Sequence, residues 1–133
     1  MKIGNIEIQK SCHSSFKIKS NKIIYIDPFK INDDEKADLI LITHEHFDHL
    51  SIEDIKKVID KKTILIATND CISKLNKFEN QVKIANPGSK LEILNIKIEA
   101  VPAYNINKFR APNLPFHPKE DNKVGYIIEI DGK

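Results

Sequence analysis

Hydrophobic and polar positions first alternate along this chain and then fuse into continuous apolar runs, and the change sets the expected order of elements. Ile3, Ile6 and Ile8 open a first strand, and Phe16-Lys17-Ile18-Lys19 alternates in a second. Lys22-Ile23-Ile24-Tyr25-Ile26 makes a third, with Ser20-Asn21 as the hairpin turn before it. Asp27-Pro28-Phe29 stops that strand, because Pro28 cannot donate a ladder hydrogen bond. A polar loop, Asn32-Asp33-Asp34-Glu35-Lys36, follows.

Leu39-Ile40-Leu41-Ile42 is apolar at every position, the pattern of a strand buried on both faces. Ser51 with Asp54 three residues later starts a helix in the manner of a capping box. Ile52, Ile55, Val58 and Ile59 give that helix its apolar stripe, and it should end near Lys61-Lys62. Thr63-Ile64-Leu65-Ile66-Ala67 reads as a second buried strand. Thr68 then caps another helix carrying Ile72, Leu75 and Phe78 on one face. Gln81 to Ala85, Lys90 to Leu94 and Ile96 to Val101 are strand-like, broken by Asn86-Pro87-Gly88 and by Asn95. An irregular stretch from Pro102 to Asn122 precedes a last strand, Val124 to Ile130. Loops of such length inside a compact domain are usually functional. Asp131-Gly132-Lys133 resembles the start of a hairpin turn with no returning strand. The order is strands, then β-α-β, then strands: a mixed α/β fold.

Composition changes this picture little. A chain of 133 residues, 41% hydrophobic and 30% charged, is an ordinary globular domain at most, able to bury a core without disulfides. A net charge of +2 from scattered lysines gives no basic patch for nucleic acid. Cys12 and Cys71 form no CxxC pair and read as free thiols. No apolar run reaches the roughly 18–20 residues of a membrane span, and the N-terminus lacks an apolar signal segment, so a cytoplasmic location is expected.

The chemistry is concentrated in one place. Of five histidines, three fall in His44-Glu45-His46-Phe47-Asp48-His49. This cluster follows a buried strand and precedes a helix start, where α/β folds place ligand sites. His44 and His46, two apart, can project the same way onto one ion. Asp48 and His49 lie a turn further on, within reach of a second. Imidazoles and a carboxylate are ordinary zinc ligands, and such sites also accept Mn2+ or iron. The zinc-protease pattern HExxH is excluded, since the residue four after His44 is Asp48.

These residues resemble the HxHxDH motif of the metallo-β-lactamase superfamily. Cys12-His13-Ser14-Ser15-Phe16 with Ile24-Tyr25-Ile26-Asp27-Pro28-Phe29 is similar to the opening of the branch that includes ascorbate-6-phosphate lactonase. Val101-Pro102-Ala103-Tyr104-Asn105, His117-Pro118-Lys119 and Val124-Gly125-Tyr126 resemble that branch too. The resemblance implies an αββα sandwich, of which residues 1–133 form a single, incomplete domain covering roughly the N-terminal half. It implies that His44 and His46 bind a first metal and Asp48 and His49 a second, as one or two Zn2+ ions. Asp27 would support the ligand loop from behind, though a turn former before Pro28 is an equal reading of the residue alone. His13 would stand at the substrate side, and Asp48 would orient a metal-bound hydroxide attacking a lactone, ester or phosphodiester.

The sequence also departs from the branch. Cys12 stands where relatives have glycine, and Asn105 stands where other branches supply the third histidine of the first metal. His117 is a candidate for that third ligand; equally, it suits an anionic substrate together with Lys119 or Arg110. The bridging aspartate and final histidine of the family's later segments have no counterpart here. Two expectations follow: a metal-dependent hydrolase of small molecules, including phosphorylated ones, or a catalytically silent half-domain. The second would expose an apolar face and need its C-terminal half, a second copy or another partner chain.

Overall fold

The computed structural model describes residues 2–10, 15–32, 35–43, 50–102, 109–111, 114–115 and 124–130. The chain divides into two compact units, Met1–Ile84 and Ala85–Lys133.

In the first unit seven strands form one sheet in sequence order: β1 (Lys2–Ile3), β2 (Ile6–Lys10), β3 (Phe16–Lys19), β4 (Ile23–Ile26), β5 (Leu39–Leu41), β6 (Ile64–Ala67) and β7 (Val82–Ile84). The first four pair antiparallel, and β4 to β7 pair parallel. Helix α1 (Ile52–Val58) makes the crossover from β5 to β6, and α2 (Ile72–Leu75) lies on the crossover from β6 to β7. The core is built where sheet and helices meet. Tyr25, Ile40, Ile42, Leu65 and Ala67 pack with Ile55, Val58, Cys71 and Leu75. Ile24, Leu39, Leu41 and Ile66 alternate with them along the strands and are fully buried too. Continuous apolar runs in the parallel strands have this cause: both sheet faces are dry.

Three local expectations are corrected. The run containing Ile3, Ile6 and Ile8 is two strands, because Gly4 takes a left-handed conformation (φ 59°) and turns the chain between them. Helix α1 stops at Val58, short of Lys61-Lys62. Asp60 Oδ1 accepts the N–H groups of Lys62 and Thr63, and Asp60 N–H donates to Thr63 Oγ1, a local turn that competes with another helical turn. Thr68 does not cap α2 with its side chain. Its hydroxyl donates to Asp70 Oδ1, and a 3-10 turn at Asn69–Cys71 leads into the helix. Cys71 is buried, its sulfur 3.2 Å from the Thr68 hydroxyl; Cys12 lies outside the described residues.

In the second unit β8 (Lys90–Ile93), β9 (Ile96–Pro102) and β12 (Val124–Glu129) form an antiparallel sheet in the order β12-β9-β8. Leu94 and Asn95 join β8 to β9 as a two-residue loop, both left-handed (φ 55° and 64°), the signature of a type I′ hairpin. The stretch expected to be irregular holds two short paired strands, β10 (Phe109–Ala111) and β11 (Leu114–Pro115). Ile96, Ile98, Ala100 and Val124 are buried, and the exposed large hydrophobics among the described residues are Ile3, Ile84, Leu94 and Ile127. No helix among the described residues has the length and apolarity to cross a membrane.

Candidate metal centre

Parallel pairing of β4 with β5 brings Ile26 level with Leu41, so Asp27 and the residues after Leu41 leave the sheet at the same edge. Asp27 N–H donates to the Leu41 carbonyl at 2.8 Å, extending the ladder by one bond. Asp27 then turns left-handed (φ 48°), a conformation aspartate tolerates better than most residues, and Pro28 ends any further pairing. The turn aims the buried Asp27 carboxylate, 1% exposed, at Thr43. Oδ1 accepts the Thr43 backbone N–H at 2.7 Å, and Oδ2 accepts its hydroxyl at 2.6 Å. Asp27 thus forms the turn before Pro28 and bonds Thr43, the residue immediately before His44.

A second carboxylate acts on the other side of the cluster. Ser51 is the N-cap of α1, its Oγ accepting the Asp54 N–H at 3.4 Å. In a capping box the acidic side chain would return to the cap's backbone N–H. Asp54 reaches further. Its Oδ2 accepts the Ser51 hydroxyl at 2.6 Å and the Lys30 N–H at 2.9 Å, while Oδ1 accepts the Ile31 N–H and the Lys57 ammonium, both at 3.1 Å. Burial, the strongest single influence, pushes this carboxyl up. The Ser51 hydroxyl, Lys30 N–H, Lys57 ammonium and Ile31 N–H together outweigh it and hold the group below the usual aspartate range. Lys30, like Asp27, is left-handed (φ 51°).

The crossover from β4 to β5 is held at its far end as well. Lys17, buried on β3, places its ammonium 2.6 Å from Glu35 Oε1 and over the Tyr25 ring, and the Tyr25 hydroxyl donates to the Glu35 carbonyl at 2.8 Å. Lys17 and then Lys19 hold the Glu35 carboxyl below its ordinary range.

Of the candidate site residues singled out from the sequence, Asp27 and, in β10, Arg110 lie in the described part of the chain. His13, His44, His46, Asp48, His49, Asn105 and His117 lie outside it, and so do Glu45, Phe47 and Lys119. No group of three or more His, Cys, Asp or Glu side chains suited to a metal occurs among the described residues, which include none of the five histidines. Two supporting residues escaped the sequence reading. Thr43 gave only the faint signal of a hydroxyl ahead of the cluster. Asp54 announced its place in the Ser51 cap but not its bonds to residues 30 and 31, more than twenty positions away.

A mixed sheet with two helices, and a histidine-rich segment leaving the end of a buried parallel strand, define the class that the comparisons confirm. The chain belongs to the beta-lactamase superfamily domain family, whose model matches residues 7–133. It is 32% identical to the UPF0173 metal-dependent hydrolase of Thermococcus onnurineus, over 90% of this chain and 54% of that protein. It is 33% identical to a metal-dependent hydrolase of the same group from Thermodesulfovibrio yellowstonii, over 96% of this chain and 56% of the relative. A crystal structure from Parabacteroides distasonis, of a protein assigned as a metal-dependent hydrolase, superposes with a TM-score of 0.79 at 35% identity, covering 96% of this chain and 57% of that one. The chain thus spans about half the length of the curated relatives it matches, corresponding to their N-terminal portion.

Proposed function

We propose that this chain is the metal-binding, N-terminal portion of a metal-dependent hydrolase acting on a small molecule with a lactone, ester or phosphodiester bond, including phosphorylated substrates. The observation that carries the reading is the Asp27 carboxylate gripping Thr43, the residue ahead of His44, by two short hydrogen bonds. Buried polar groups at the ends of parallel strands are spent in this way where the next segment must be held in register.

The donor set fits a divalent ion: three imidazoles and a carboxylate in six residues, all neutral or anionic ligands without a competing lysine among them. His44 and His46 would hold one ion, and Asp48 and His49 a second. His117 is the further candidate ligand, and Asn105 stands beside the set. Zn2+ suits these donors best, with Mn2+ or iron as alternatives. When bound, such ions acidify water and offset charge developing on the scissile group. Asp48 would orient the attacking water, and His13 would face the substrate. Asp27 keeps the start of the ligand segment from swinging away from the strand end.

A second reading is favoured by the chain's span of about half its relatives' length. In it, metal binds but turnover waits for a further segment or a partner chain. One experiment addresses both: metal content of protein purified without chelator, beside His46→Ala, with solution mass and hydrolysis of a lactone and a phosphodiester measured on the same samples. Near-stoichiometric metal that His46→Ala loses, with turnover, supports the hydrolase. Metal without turnover supports the second reading. Equal, negligible metal in both proteins overturns the metal-centre proposal.

A further inference from the structure

Both ends of segment 44–49 are fastened to the same short stretch of chain. On one side Thr43 is held by Asp27 at 2.7 and 2.6 Å. On the other, Leu50 is buried in the core and Ser51 donates its hydroxyl to Asp54 at 2.6 Å. That same Asp54 carboxylate accepts the backbone N–H groups of Lys30 and Ile31. Residues 27–31 therefore form a base to which the segment is pinned twice, each time by a carboxylate at most 5% exposed. We propose that Asp54 is a positioning residue for the metal-ligand segment, working with Asp27 as the second of two clasps that fix the spacing between the segment's ends. The proposal rests on reading residues 44–49 as metal ligands.

A helix-starting role alone does not account for the arrangement. Capping α1 requires only the Ser51 oxygen, and an acidic residue in a first turn ordinarily sits in solvent, where it meets the helix dipole without losing hydration. Asp54 is instead buried, and besides its partners in α1 each of its oxygens accepts a backbone N–H from the β4–β5 crossover. The stretch it holds is backbone-strained: Asp27 and Lys30 are both left-handed, and lysine has no intrinsic preference for that region. Strain of this kind persists where surrounding bonds over-determine the conformation, and it clusters at functional sites. Here the over-determining bond falls on the strained residue itself, since the Lys30 N–H is the one Asp54 accepts at 2.9 Å. The Lys57 ammonium, bonded to Asp54 Oδ1 and to the Ile31 carbonyl at 2.9 Å, closes the same joint from the helix.

The test is hydrogen exchange on the metal-free chain, read by peptide, joined to Co2+ titration with the visible spectrum recorded. The variants are Asp54→Asn, the milder Ser51→Ala, and Asp60→Ala as a control at the opposite end of α1. If Asp54 positions the segment, Asp54→Asn speeds exchange in the peptide spanning 41–51 by about tenfold and leaves 64–67 unchanged. Co2+ affinity then falls about 10–100-fold with an altered ligand-field spectrum. Asp60→Ala should loosen 60–63 only and keep the wild-type spectrum. Should Asp54→Asn not fold, Ser51→Ala is read in the same way with a smaller change. Faster exchange confined to 28–36 and 52–58, with 41–51 at the wild-type rate, overturns the proposal. Faster exchange in 41–51 with no Co2+ uptake even by wild type would uphold the clasp and overturn the metal centre instead.

Discussion

Asp27 and Thr43 meet where two parallel strands end side by side, one carboxylate taking both the backbone N–H and the hydroxyl of the same threonine. Asparagine tolerates the left-handed backbone nearly as well as aspartate, so Asp27→Asn isolates the acceptor role from the turn. It turns an amide N–H2 toward one of two donors. We expect a loss of about 1–3 kcal/mol in urea unfolding, as for any buried donor left unpaired. Co2+ affinity should fall about 10–100-fold, as for lost outer-shell support of a metal site. Wild-type values for both would show that the clasp holds nothing that matters.

Acid should loosen the α1 joint in a defined window. Asp54 titrates below its unfolded value, about 3.9, so the unfolded chain takes up the proton first. Its stabilisation is complete above that unfolded value, declines as the pH drops below it, and is gone once the pH has passed the native one. Stability measured between pH 2 and pH 6 should fall less steeply in Asp54→Asn than in wild type at the acid end. Parallel acid limbs would contradict this assignment.

Two equally buried hydroxyls should respond in opposite ways. Thr63 Oγ1 donates to the Ala37 carbonyl at 2.7 Å and accepts the Asp60 N–H, whereas Ser15 Oγ has no hydrogen-bond partner among the described residues. Both residues are 1% exposed. Thr63→Val should cost about 1–3 kcal/mol, while Ser15→Ala should be neutral or stabilising. Thermal unfolding of the pair decides it, and a large loss in Ser15→Ala would mean that the hydroxyl has a partner in solution.

The β8–β9 hairpin carries a correctable strain. Leu94 is left-handed and 41% exposed, a poor combination for a γ-branched apolar residue. Leu94→Asn supplies a side chain suited to the first position of a type I′ turn and should raise stability by about 0.5–1 kcal/mol. A lowered melting temperature would show that Leu94 contributes packing that outweighs its backbone cost.

Lys17 illustrates what no periodicity reveals. It alternates correctly as a polar position on β3, yet it is buried, and its charge is matched by Glu35, eighteen residues on in a loop. Lysine at an alternating position normally reads as solvent-facing, and only the return of the crossover over β3 makes it a structural ion pair.

The sequence by itself determined the strands that are apolar throughout, the Ser51 helix start, the break at Asn95 between β8 and β9, and the cluster of donor residues on which the metal proposal rests. These are local matters: side-chain period, a cap, a turn and a cluster of donors all lie within a few residues of one another. Where α1 stops, how the chain between Pro102 and Asn122 pairs, and what Asp27 and Asp54 grip were decided only by tertiary structure. Each depends on groups brought together from distant positions: Asp27 with Thr43 across a parallel strand pair, and Asp54 with Lys30 and Ile31 across the crossover. A carboxylate looks the same in sequence whether it faces water or a buried N–H, and burial, which only the fold assigns, makes the difference.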